Sequence, residues 1–171
     1  MSPSKLKATN GKALQQATRM AIGLGAISGM RAAISPAIVS HYLRKNPDLS
    51  LDDSKLRFFQ LPVAAIVTKV LGAAEITVDK LPNTPNRIVL PQVIARVTSG
   101  AFAGGIVFKA NRQSLLKGML IGGASALAAT FVSFYLRKYL DKKTGIQDPI
   151  VGGIEDIIAL GSGVLLMKKN G

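Results

Sequence analysis

The sequence predicts an all-α, multi-pass transmembrane helix bundle, and three observations support this prediction. First, the chain has 22 Lys and Arg against 9 Asp and Glu, yet 48% of its residues are hydrophobic and its mean hydropathy is +0.30. Second, the charges are clustered, and apolar stretches about as long as a bilayer is thick separate the clusters. Third, most of the 17 glycines lie within these stretches, where small residues let helices in lipid approach closely.

About five membrane helices are predicted. A basic flank at 1–19 precedes them, and we expect it to be retained because the next stretch is longer than a signal-peptide core. Residues 20–171 are predicted to form one transmembrane helical domain. Arg31 and Pro36 interrupt its first apolar segment, and a proline-rich connector at 81–87 precedes its third. The segments are about 18–43, 59–80, 91–108, 113–137 and 149–167.

Paired glycines recur in three of these segments. Each pair has the G-x-x-x-G spacing, which favours close helix–helix packing in a membrane. The same helix faces are the expected surface of a homo-oligomer. The pairs are Gly25 with Gly29, Gly100 with Gly104 and Gly118 with Gly122.

An internal repeat relates the first and fourth segments. Residues 39–45 match residues 132–138 at six of seven positions. The match predicts two related halves, about 20–80 and 113–168. They form an inverted repeat if both intervening segments cross the membrane, as in many transporters, and a parallel repeat if one segment is re-entrant. The alternative explanation is that similar helix ends recur because both lie at a membrane interface.

Charged residues also occur inside the apolar segments. Both glutamates of the chain, Glu75 and Glu155, lie there, and either is an expected partner for Arg31. A lone charge at the bilayer centre costs at least about 2.5–3.5 kcal/mol, so such residues pair or line a wet cavity. Asp79 follows one turn after Glu75 on the same helix face. The alternative interpretation of such a charged residue is that it forms a purely structural ion pair or lies at the membrane interface. We prefer this interpretation for Asp156. The candidate ion- or substrate-binding residues are Arg31, Glu75, Asp79, Lys80, Arg87, Arg96 and Glu155.

Three longer motifs include many of these residues. They are Gly25-x-x-x-Gly29-Met30-Arg31-x-x-x-Ser35-Pro36-Ala37, then Glu75-x-x-x-Asp79-Lys80-Leu81-Pro82-x-x-Pro85-x-Arg87 followed by Pro91-x-x-x-x-Arg96-x-x-x-Gly100-Ala101-x-x-Gly104, and finally Gln147-Asp148-Pro149 with Glu155-Asp156. From about residue 20 onwards the chain resembles the DUF4126 family of small membrane proteins. The resemblance implies a multi-pass membrane protein with no established activity, in which the charged residues belong to one recurring pattern.

Two functions remain open from the sequence. A transporter or channel for an ion or small charged solute explains the duplication, the charges and the helix breakers. A structural or assembly subunit of a membrane complex explains the packing motifs without any site. We do not predict an enzyme, because paired carboxylates without a nucleophile or a cofactor motif are a thin basis for catalysis. Without Cys and with one His, no metal site is expected, and no cofactor is predicted.

The net charge of +13 indicates the expected partners. Because the basic residues flank apolar segments, the counter-charges are expected to be anionic lipid headgroups of the bilayer rather than nucleic acid. The bacterial inner membrane is the expected location, with an organellar membrane as the alternative.

Overall fold

The computed structural model describes residues 3–52, 54–78, 89–144 and 148–170. Within these ranges all regular structure is helical and no strand occurs, which confirms the all-α prediction. Two short 3₁₀ helices, Leu49–Leu51 and Lys55–Gln60, connect the second and third α-helices. The α-helices are α1 (Pro3–Met30), α2 (Ile34–Lys45), α3 (Pro62–Val78), α4 (Leu90–Ala110), α5 (Leu115–Thr144) and α6 (Asp148–Asn170).

The first predicted segment is two helices rather than one. Pro36 lies in the first turn of α2, where a missing N–H is tolerated. Its ring would clash with the carbonyl of the residue four positions earlier, Ala32, if the helix were continuous. Helix α1 therefore ends at Met30, and α2 starts again at Ile34. Helix α1 also begins at Pro3, so most of the basic flank is helical.

Helices α1, α4 and α5 form the centre of the bundle through their glycines. A Cβ atom added to Gly25 would overlap the carbonyl oxygen of Gly122 in α5, and one added to Gly104 would overlap that of Gly118. All three G-x-x-x-G pairs are used in such contacts inside one chain. A homo-oligomer would therefore have to use another surface. Helix α3 packs against α2, and α6 packs against α1 and α2.

The outer surface of α3, α5 and α6 is apolar. Two helical segments of the described chain are long and apolar enough to cross a membrane by length and composition, Leu90–Ala110 and Leu115–Leu140. The larger number of about five membrane helices stays a prediction. The exposed apolar residues on the outer surface include Val63, Ile66, Val70, Leu71, Leu120, Phe131, Val132, Leu136, Ile157, Ile158, Val164 and Leu165.

The two copies of the sequence repeat differ in their backbone. Residues 25–45 contain the break between α1 and α2, whereas residues 118–138 lie within the uninterrupted helix α5. Pro36 in the first copy corresponds to Ala129 in the second, which removes the cause of the break. A pseudo-symmetric arrangement of the two halves stays a prediction.

Candidate functional site

The break between α1 and α2 is the centre of a polar cluster, which we call the break site. It comprises residues Gly29, Arg31, Ala32 and Ala33 and the side chains that bind them. In a continuous helix the N–H groups of Ala32 and Ala33 would donate to carbonyls four residues earlier. Here they donate to the two carboxylate oxygens of Glu75, at 2.9 Å to Oε1 and 2.8 Å to Oε2. Glu75 of α3 thus joins the break to a third helix.

The position of Glu75 is electrostatically favourable. Ala33 precedes α2 and supplies no side-chain cap of its own. The N-terminus of a helix has a partial positive charge, and a carboxylate placed there is stabilised. Glu75 accepts the N–H of the N-cap residue Ala33, which is the role of the Glu side chain in a capping box.

The carbonyl groups freed by the break also find donors. Pro36 has no N–H to offer to the carbonyl of Ala32, and the Ser99 hydroxyl of α4 donates to this oxygen instead. The hydroxyl of Ser28 lies 3.3 Å from that of Ser99. The hydroxyl of Thr130 in α5 lies 3.2 Å from the carbonyl oxygen of Gly29 and 2.8 Å from that of Ala126 in its own helix. Helices α4 and α5 therefore complete the backbone hydrogen bonding of the break.

A buried ion pair joins the break to α6. The Nε atom of Arg31 donates to Oδ1 of Asp156 at 2.6 Å, and the two side chains are 2% and 10% accessible. Each charge would be costly at this depth without the other. Four further helices thus each bring one side chain to the break, namely Glu75, Ser99, Thr130 and Asp156.

The structure pairs Arg31 with Asp156, and the expected pairing of Arg31 with Glu75 or Glu155 stays a prediction. Glu75 binds the backbone beside Arg31, and the side chain of Glu155 lies outside the described part of the structure. Asp156 shares the buried face of α6 with Ala159, Gly163 and Met167. That helical spacing is the signal in the sequence that could have identified it.

Among the other predicted site residues, the structure places Arg96. It lies in α4, three residues before Ser99, and only 3% of it is exposed. Asp79, Lys80 and Arg87 lie outside the described residues. The expected convergence of Asp79 with Glu75 and Arg31 therefore stays a prediction. Ser99 and Thr130 were not predicted.

The hydrogen bonds between Glu75 and the break depend on the charge of its carboxylate. A deprotonated Glu75 accepts both backbone N–H groups, whereas a protonated carboxyl has one oxygen converted into a donor.

Comparison with known proteins identifies the group to which the chain belongs. A family model described as "Domain of unknown function (DUF4126)" matches residues 19–169, a region that includes every residue of the break site. Searches of the curated proteins and of the solved structures find no match for this chain. Because the family model spans nearly the whole sequence, the chain belongs to the DUF4126 family.

Proposed function

We propose that this chain is a multi-pass membrane protein that transports an ion or a small charged solute, with the break site as its binding and coupling site. The observation that supports this function best is that charged and polar groups from four other helices bind the break between α1 and α2. Discontinuous helices whose free ends face a charged site are the usual construction of binding sites in membrane transporters.

The apolar surface supports the membrane part of the proposal. Large apolar side chains cover the outer faces of α3, α5 and α6, where they are roughly half to three-quarters exposed; Leu120 is 65% exposed and Ile157 is 73% exposed. Soluble monomers rarely expose apolar patches of more than a few hundred Å². Lipid acyl chains are the natural cover for such a surface, and the basic clusters would then meet anionic headgroups.

The sequence repeat supports the transport part. Residues 118–138 pack in the centre of the bundle as a continuous helix without a break. The related residues 25–45 contain the break, and Arg31 lies within it. Packing alone therefore does not require the interruption. Each backbone N–H or C=O group that an interruption frees inside a membrane needs another hydrogen-bond partner, because each unsatisfied group costs several kcal/mol there.

A structural or assembly subunit is the second candidate function. The observation in its favour is that Glu75 is bound to two N–H groups and Arg31 to Asp156, which a packed interior also requires. The two candidates differ in what Glu75 must do. A transporter needs its charge to change or move, whereas a packed subunit needs only its hydrogen bonds.

Replacing Glu75 with Gln separates these candidates. Gln keeps the size and one acceptor oxygen for the break but cannot take up a proton. We expect proteoliposomes of the unaltered chain to dissipate imposed proton, K⁺ or Cl⁻ gradients, and E75Q to reduce that flux to the level of empty vesicles. A pH-sensitive dye and ion-selective electrodes measure the flux.

The matched control for this variant is Asp52→Asn, which removes an exposed carboxylate far from the break. It should leave flux unchanged. Melting temperature in detergent checks that both variants fold. Unchanged flux in E75Q, or a variant that cannot be obtained folded, would show that Glu75 is structural and would contradict the transport function.

Membrane insertion has its own test. We expect the chain to stay in the membrane pellet after a wash with alkaline carbonate and to be released by detergent, because the apolar faces of α3, α5 and α6 need lipid or detergent around them. Immunoblotting of the pellet and supernatant measures the distribution, with a peripheral basic protein as the control for release. Recovery of the intact chain in the carbonate supernatant would contradict insertion.

A further inference from the structure

A cavity of about 280 Å³ lies at the end of the bundle where α2 and α4 terminate. Apolar side chains form its floor, among them Val39, Ile106 and the two methionines Met20 and Met167. The thioethers of methionine are polarisable and adapt to aromatic surfaces. The floor therefore suits the apolar body of a small molecule.

The rim of this cavity is rich in hydrogen-bond acceptors. Asn46 and Asn111, the residues that follow α2 and α4, both line it. Each donates its side-chain N–H to a carbonyl of its own helix, Asn46 to Tyr42 at 3.4 Å and Asn111 to Val107 at 2.9 Å. Within the described residues neither Oδ1 oxygen accepts a hydrogen bond. Two amide oxygens are thus available to a ligand that donates.

Among the described residues that line the cavity, only Asp48 has a formal charge. The C-terminus of a helix has a partial negative charge, and two such ends meet here. Asp48 lines the same rim and adds a formal negative charge. It is fixed in place, because its backbone N–H donates to Gln60 at 2.8 Å and its Oδ1 accepts the Ser50 N–H at 2.8 Å. The basic residues Arg44, Lys45, Arg112 and Lys168 are close in sequence to the lining residues but exposed, so water and salt screen them, whereas Lys109 beside Ala110 is half-buried.

We infer that this cavity binds a small organic cation, with an ammonium group at the Asp48 rim and an apolar body on the methionine-lined floor. A cavity of about 150 Å³ accommodates benzene, so this one has room for a body of about ten heavy atoms. Val39 is eight residues beyond Arg31, which places the cavity about 12 Å from the break along α2. The inference is therefore independent of transport at the break site.

The test uses 2-phenylethylammonium and the full chain in lipid nanodiscs, with binding measured by saturation-transfer NMR and empty nanodiscs as the background. Neutral 2-phenylethanol and anionic phenylacetate are the matched ligands. We expect the cation to bind about tenfold more tightly than the alcohol, and phenylacetate to bind most weakly. Equal affinity for cation and alcohol, or no binding of the cation above background, would overturn the inference.

Two variants locate the site. Asp48→Asn keeps an acceptor for Ser50 but removes the charge, and should reduce the affinity for the cation to that for the alcohol. Ala110→Phe places a large side chain in the cavity and should reduce the affinity for both the cation and the alcohol. Asp52→Asn is the control, because it removes a nearby carboxylate that does not line the cavity. Unchanged binding in both D48N and A110F would show that the ligand binds elsewhere.

Discussion

Replacing Gly122 with Ala is expected to destabilise the bundle by about 3 kcal/mol, the upper end of what one added methyl group costs in a packed interior. Gly122 lies where α5 meets α1 and α4. A Cβ atom there would overlap the carbonyl oxygen of Gly100 and come within 3.1 Å of the Cα atom of Gly104. Both neighbours are backbone atoms, which cannot turn aside as a side chain can. The helices must therefore separate, and contacts along their whole length weaken.

Thermal unfolding in detergent, followed by circular dichroism, measures this loss. The matched control is Gly161→Ala in α6, where an added Cβ atom meets nothing within 4 Å. Ala is favoured over Gly in a helix by roughly 1 kcal/mol, so G161A should unfold at the same temperature or slightly higher. Equal melting temperatures for the two variants would contradict the close packing of α5 against α4.

Asp156→Asn is expected to be the most damaging change to the break site. It neutralises the carboxylate that Nε of Arg31 binds, and removing one partner of a buried pair typically costs about 3–5 kcal/mol. This ion pair is a buried one, because Nε of Arg31 lies 2.6 Å from Oδ1 of Asp156 and only 2% of the Arg31 side chain is exposed. The measurement is the shift in melting temperature or in the denaturant midpoint, in the same detergent as the unaltered chain.

A double-mutant cycle shows whether this loss comes from the pair. Arg31→Met removes the other charge, and the double variant R31M/D156N has neither charge. We expect the double variant to lose clearly less stability than the sum of the two single changes, because no charge is left uncompensated. Strictly additive losses would mean that Arg31 and Asp156 act independently.

Much of the helical layout could be predicted from the sequence. The second to fifth segments agree with α3 to α6 within a few residues, except that α5 continues to Thr144 instead of ending near residue 137. Hydropathy marks the length of chain that fits a bilayer, and a helix can continue beyond it. Helix α1 likewise begins before its apolar segment, at Pro3. The polar residues in between include good helix formers such as Lys12, Gln15 and Gln16.

The break site could be predicted only in part. Arg31 and Glu75 were identified because charges inside apolar segments are rare and costly. The sequence favours a structural role for Asp156, because adjacent acids look equivalent until the rotation of α6 is known. Ser99 and Thr130 were missed for another reason. Hydroxyl side chains are common in helices, and their role here depends on a carbonyl that only the fold brings beside them.

The break has a consequence for the order in which the protein is made. Its four supporting side chains come from α3, α4, α5 and α6, which emerge from the ribosome after α1 and α2. Until α6 is in place, Arg31 lacks the carboxylate of Asp156. A chain that stalls before α6 therefore differs from one that contains α6 by one partner of a buried ion pair, and the loss of such a partner is costly.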